Sequence, residues 1–288
     1  MDDAAMGIEH LAPVRDDIFT IGREELTVVE PLTCQAAVHA ASDQLAGLLS
    51  DAERGALEDH LAGCDSCSCL IDQLRSTVAV LASRPEVQVP DSLRAMVAQA
   101  GGGRAEALTA QLPHLYALAN ALDAGAADDL VQETLTSALA DPDADATRLG
   151  LAAVLTRLAD ERRPDVESPA VPTAGSDPDA DQAELFYPDF YTDGPDAGAW
   201  VDSPVAWGEA RVLRPEDDLV TTEAYGVAET ALAGLDPIDA GLVTLVDIEG
   251  APFSRAVLEL DLPSGEARER LARARFTVRA ALDRYFKS

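Results

Sequence analysis

Apolar residues recur at helical spacing along most of the chain. Leu48, Leu49, Leu57, Leu61, Leu70 and Leu74 set a helical pattern over the first third. Leu112, Leu115, Leu118, Ala119 and Leu122 share one helical face, and Leu130, Val131, Leu135, Ala138 and Leu139 share another, with Asp123-Ala-Gly125 as the turn between them. A further helix is predicted from about Thr147, carrying Leu151, Val154, Leu155 and Leu158. Towards the C-terminus a helix near 219–234 leads into Leu235-Asp-Pro-Ile238 and the apolar run Leu242-Val-Thr-Leu-Val246. Glu249-Gly250 makes a turn, Phe253 to Leu260 a short helix, and Asp261-Leu-Pro-Ser-Gly265 another turn. The last helix places Ala267, Leu271, Ala274, Val278, Leu282 and Tyr285 on one side, while Arg268, Arg270, Arg273, Arg275, Arg279 and Arg284 project elsewhere. The fold expected is all-α. Only residues 1–30, with Ile18-Phe-Thr-Ile21 and Leu26-Thr-Val-Val29, suggest a short strand or capping segment, and no function attaches to them.

Proline and glycine punctuate this pattern. Ser83-Arg-Pro-Glu-Val-Gln-Val-Pro90 and Gly101-Gly-Gly103 read as linkers, and prolines crowd the stretch from Pro164 to Pro215. The organisation predicted is an N-terminal segment 1–30, a domain over 31–100, a helical domain over 104–163, a linker over 164–216 and a C-terminal domain over 217–288. No internal repeat is visible.

Charge sharpens the linker. The chain carries 52 acidic and 21 basic residues, net −31, and residues 164–217 hold 13 acidic against 2 basic groups. Such a segment buries too little surface to offset chain entropy, so residues 164–183 are expected to be disordered. Phe186-Tyr187, Phe190-Tyr191, Trp200 and Trp207 break the polar run and point to a segment docked on an apolar surface, such as the chain's own core. A chain this acidic is no general nucleic-acid coat, because phosphate affinity needs a basic field. No run approaches the roughly 18 apolar residues of a membrane span, and Met1 to Glu9 lacks a signal-peptide pattern. The location expected is cytoplasmic.

All four cysteines, Cys34, Cys64, Cys67 and Cys69, lie within one short window. In a cytosolic chain metal binding is the first reading. His60-Leu-Ala-Gly-Cys64-Asp-Ser-Cys67 is an H-x3-C-x2-C run. On a continuous helix these three ligands would point from one face, and Cys34, at the start of the preceding helix, would close a tetrahedral zinc site. Cys3His is a closed set, hence one structural zinc ion. His39 is the alternative fourth ligand, and Cys69, off the ligand face, is a core residue or a redox partner. The remaining histidines, His10, His39 and His114, have no nucleophile or carboxylate at a recognisable catalytic spacing, and Gly101-Gly-Gly103 lacks the Lys-Ser/Thr of a phosphate loop. No enzymatic activity is expected.

Cys34, the His60–Cys67 run and the Pro-bounded segment Asp91 to Ala100 resemble the zinc-binding anti-sigma domain of bacteria over residues 31–100. In that family a helical zinc domain and a following helix clamp a sigma factor away from RNA polymerase. Leu115-Tyr-Ala-Leu-Ala119 with Ala127-Asp-Asp-Leu-Val-Gln-Glu-Thr134 resembles region 2 of extracytoplasmic-function sigma factors, which implies that Asp128, Asp129, Gln132 and Glu133 dock on core RNA polymerase. Leu262-Pro-Ser-Gly-Glu-Ala-Arg-Glu-Arg-Leu-Ala-Arg-Ala-Arg275 resembles region 4, a helix-turn-helix that reads the −35 promoter element. That resemblance implies base or phosphate contacts by Arg268 and Arg270 and backbone contacts by Arg273 and Arg275. Trp200-Val-Asp-Ser-Pro-Val-Ala-Trp207 is similar to the Trp-containing linker of some such factors.

The chain departs from the family where a flipped −10 base would be captured. There it reads Asp141-Pro-Asp-Ala-Asp145, with no aromatic residue before Phe186, and carboxylates repel a phosphate strand. Two functions follow as expectations. One is a sigma factor restrained by its own fused zinc domain, with core RNA polymerase and, through residues 217–288, promoter DNA as partners. The other is a non-initiating protein that binds or titrates a separate sigma or anti-sigma factor.

Overall fold

The helical periodicity is realised as helices among the described residues. A computed structural model describes residues 31–84, 87–141, 146–162, 189–207 and 218–287. The expected N-terminal strand or cap in 1–30, the acidic positions 142–145, the expected disordered segment 164–183 and the aromatics Phe186 and Tyr187 lie outside them. Among the described residues the fold is all-α, with no strand and one isolated antiparallel bridge between Phe190 and Trp200.

Three helices begin the fold: α1 (Cys34–Leu45), α2 (Asp51–Gly63) and α3 (Asp65–Ala82). Their ends are written locally. Thr33 caps α1 by accepting from the Ala36 N–H at 3.2 Å. At its other end Gly47 adopts φ 69°, which lets its N–H reach Gln44 O and the Leu48 N–H reach Asp43 O, the two bonds of a Schellman motif. Ser50 and Glu53 form a reciprocal capping box at the start of α2.

Next come α4 (Asp91–Ala100), α5 (Gly102–Asp123), α6 (Ala127–Ala140) and α7 (Arg148–Arg162). The expected linker Gly101–Gly103 is a break of one residue. Gly101 turns the chain at φ 66°, and Gly102 already opens α5. The turn after α5 is held by Asp123, whose carboxylate accepts from the N–H groups of Gly125 and Ala126.

The C-terminal elements are α8 (Asp218–Ala233), α9 (Pro237–Val243), α10 (Phe253–Glu259) and α11 (Ser264–Lys287). Asp236 caps α9, and Pro237 supplies its first residue. The apolar run expected at 242–246 continues from α9 into a π turn, Thr244–Ile248, closed by the Glu249 N–H on Thr244 O at 2.8 Å. The two carboxylates that follow this run, Asp247 and Glu249, have side chains only 3% exposed.

Leu32–Ser288 is one compact unit. A single apolar core runs from Val80 and Leu81 of α3 through α5–α7 to α11, with Leu108, Leu130, Leu155, Leu242 and Leu282 fully buried. Each such leucine contributes about 1.5–3 kcal/mol relative to exposure. Buried threonines Thr77, Thr134 and Thr156 are satisfied by the carbonyl one turn back, at 2.8–2.9 Å. A smaller core lies between α1, α2 and α3: Ala37, Val38, Ala41, Leu49, Leu57, Leu70, Ile71 and Leu74. Phe276 of α11, 1% exposed, completes it. The last helix is therefore part of the N-terminal helical cluster, which the periodicity of α11 alone does not reveal.

Candidate metal centre

The ligand atoms of Cys34, His60, Cys64 and Cys67 all lie within 4.8 Å of one another. The route to this cluster differs from the single helical face expected. Cys64 has extended backbone, φ −132° and ψ 99°, so the chain breaks between α2 and α3. His60 lies in the last turn of α2, Cys64 at the corner, Cys67 in the first turn of α3 and Cys34 at the start of α1. A corner gathers ligands from three directions, which suits a tetrahedron better than a straight face does.

The spacing fits a zinc ion. A tetrahedron with Zn–S near 2.3 Å has S···S edges of about 3.8 Å, and a nitrogen at about 2.0–2.1 Å gives N···S edges of about 3.6 Å. The Cys34 and Cys64 sulfurs are 3.8 Å apart, and His60 Nε2 is 3.3 Å from Cys67 Sγ. Three thiolates and one imidazole saturate zinc and leave no open position, so the centre is that of one structural zinc. His39 is exposed and stands outside the cluster, and half-buried Cys69 stands outside it as well.

The sulfurs differ in environment. Burial pushes the Cys67 thiol far up, the indole N–H of Trp200 working against it. Burial likewise raises Cys34, against hydrogen bonds from Cys67 and from the Trp200 backbone N–H. For Cys64 burial again pushes upwards, but donors from Cys67, Cys34 and the Ser66 backbone prevail and its thiol is lowered. Cys64 sits where the N-terminal N–H groups of α3 favour a thiolate. Burial raises Cys69 too.

In the sequence Trp200 and its neighbours read as a docking segment and as a likeness to a Trp-containing linker, not as contacts of the metal ligands. Residues 189–207 form a strap on the zinc cluster. The Gln35 N–H donates to Gly198 O at 2.9 Å, Ser66 Oγ meets Ser203 Oγ at 2.9 Å, and Gln73 Nε2 donates to Val205 O at 2.8 Å. Trp207 continues onto α11, donating to Asp283 at 2.8 Å and packing on Phe286.

The four arginines singled out on α11 are all engaged by the chain itself. Arg268 pairs with Asp43 of α1. Arg270 bonds Asp239 and Glu266, each at 2.8 Å, and Arg273 meets Asp239 at 3.1 Å. Arg275 does not project outwards. It is 0% exposed, holds Asp247 with two nitrogens, and donates to the Ser42 carbonyl at 2.6 Å. By contrast Asp128, Asp129, Gln132 and Glu133 all face solvent on α6, and Glu133 pairs with Arg162 of α7.

A cluster that no motif announced lies between α5, α7 and the π turn. Glu249 accepts from Arg84 at 3.1 Å and is ion-paired with Arg148, whose Nε lies 2.6 Å away, with His114 Nδ1 at 3.8 Å. Burial lowers the His114 pKa, and the neighbouring Arg148 and Arg84 charges lower it further, against the pull of Glu249.

Residues 34–68 match the family described as “Putative zinc-finger”, a type typical of anti-sigma factors. The matched span contains all four residues of the metal cluster. No curated protein and no solved structure matches the chain. No helix among the described residues is long and apolar enough to cross a membrane.

Proposed function

We propose that the chain is a sigma-like transcription factor of the extracytoplasmic-function type, restrained by its own zinc domain and directing promoter-specific initiation by bacterial RNA polymerase when released. The contact of α11 with the zinc domain carries this reading. Phe276 sits in the small core around the zinc ligands, Arg268 is held by Asp43, and Arg275 donates to the Ser42 carbonyl at the end of α1. A zinc domain of the anti-sigma type thus occupies the helix assigned to promoter DNA. In this reading Arg268, Arg270 and Arg273 contact DNA after release, while Arg275 stays buried on Asp247, and the exposed face Asp128, Asp129, Gln132 and Glu133 docks on core polymerase. The protein works in the cytoplasm and catalyses no reaction of its own.

The test is run-off transcription with core RNA polymerase over a promoter library, comparing the full chain loaded with zinc and stripped of it. Specific transcripts that rise on stripping are the expected result. Transcripts from neither form overturn it.

One observation favours a second reading, a non-initiating protein that binds or titrates a sigma or anti-sigma factor. Arg270 and Arg273 are held by Asp239, a residue of the C-terminal part itself, so removing the zinc domain leaves them paired. Stoichiometric binding to a purified sigma or anti-sigma factor, without initiation in any metal state, supports it.

A further inference from the structure

Trp200 touches two of the zinc ligands from a position far along the chain. Its indole N–H donates to Cys67 Sγ at 3.2 Å, and its backbone N–H faces Cys34. Phe190 packs against the indole with ring centroids 4.9 Å apart, and both rings lie against the small core. The surrounding backbone is specialised for this placement. The Tyr191 N–H reaches Ala199 O at 2.9 Å, and the Gly198 N–H reaches Tyr191 O at 2.7 Å, closing a small hairpin. Gly198 has φ +79°, and a Cβ there would fall 2.9 Å from Thr33 Cβ. Only glycine lets the hairpin come this close to the start of α1, one residue before Cys34.

Three thiolates and a neutral imidazole leave a zinc centre with one net negative charge, and a thiolate in an apolar surround needs donors. The sulfur of Cys64 faces backbone N–H groups of α3. For Cys67 the indole of Trp200 supplies a side-chain N–H. Donors of this kind orient a ligand and withdraw charge from it.

We propose that Trp200 is a positioning residue of the zinc centre, its indole N–H holding the Cys67 thiolate for the metal while the Phe190–Trp200 hairpin covers that sulfur. Binding of zinc and docking of the strap then favour one another, since each is stronger when the other is in place. This inference rests on the metal site and does not require the transcriptional reading.

The test uses the full chain. Competition with a chromophoric chelator should show roughly 10–100-fold weaker zinc binding in Trp200→Phe, which keeps an aromatic ring but lacks the donor. Trp207→Phe, whose indole packs on Phe286 and donates to Asp283, should bind zinc as the wild type does. With Co2+ in place of zinc, the thiolate-to-metal charge-transfer band should move to lower energy in Trp200→Phe, because the sulfur regains electron density. Wild-type affinity, or weaker binding with an unmoved band, overturns the proposal. Should Trp200→Phe fail to fold, Trp207→Phe decides, because Trp200 is then the sole indole. Its emission should be quenched in the cobalt-loaded relative to the zinc-loaded protein, and equal emission overturns the proposal.

Discussion

Arg275 of α11 donates to the main-chain carbonyl of Ser42, in the last turn of α1, at 2.6 Å and to the Ser42 hydroxyl at 2.9 Å. The cation thus sits at the negative end of a helix dipole, while its other two nitrogens grip Asp247 at 2.9 and 2.5 Å. Four groups from three elements are satisfied at once, with the guanidinium shut away from water.

Removing one member of this buried arrangement leaves the other charged and unpaired. Arg275→Met should cost about 3–5 kcal/mol in urea unfolding, whereas Arg275→Met with Asp247→Leu should recover much of that loss. A double variant no better than the single one would show that Asp247 is compensated elsewhere.

Metal content should follow the ligand set. Metal analysis of the purified chain should find one zinc in the wild type, in His39→Ala and in Cys69→Ser. Cys64→Ser and His60→Ala should lose it. Zinc chelation should also lower the thermal midpoint, because structural zinc is coupled to folding. A Cys69→Ser protein without zinc would contradict the assignment.

Gly241 of α9 faces α7 so closely that an added Cβ would lie 2.4 Å from Thr156 Cγ2. Gly241→Ala gains about 1 kcal/mol of helix propensity, but overpacking costs about 1–3 kcal/mol and at this distance falls at the upper end. The expected result is a net loss of stability in denaturant unfolding, relieved by adding Thr156→Ala. A more stable Gly241→Ala would mean that α9 shifts freely.

Acid should act partly through His114. Its pKa lies below the ordinary 6.5 in the folded chain, mainly through burial. The unfolded state therefore binds more protons as pH falls through 6.5 towards the folded value. Stability drops across that window and is unaffected by this group well above it. The urea midpoint of His114→Gln should fall less steeply than that of the wild type between pH 7 and 5. Parallel curves would remove His114 from the account.

How far the sequence reaches can be judged residue by residue. The zinc ligands were legible because their chemistry and spacing are both local, although the break at Cys64 was hidden by assuming one continuous helix. The turns at Asp123–Gly125 and Glu249–Gly250 were legible from turn-forming residues. The sequence pattern sets Arg275 outside the apolar stripe of α11, yet it stands four residues after Leu271 and three before Val278, both buried. A charge on such a stripe signals a buried partner, and that signal was available. Nothing local marks which of the acidic residues accepts it, nor that Trp200 reaches Cys67 or Phe276 enters the small core. The Arg275–Asp247 pair spans 28 residues and the Trp200–Cys67 contact 133, and all of these contacts are set by tertiary packing.

The place of Phe276 gives the chain a timetable. On the ribosome, α1 to α3 emerge about 200 residues before the ring that closes their core. At roughly 5–20 residues per second that interval lasts on the order of 10–40 s. For that time Leu57, Leu70 and Ile71 form an unfinished seam in a nascent chain. Whatever shields the seam during synthesis competes with α11 for the same ground.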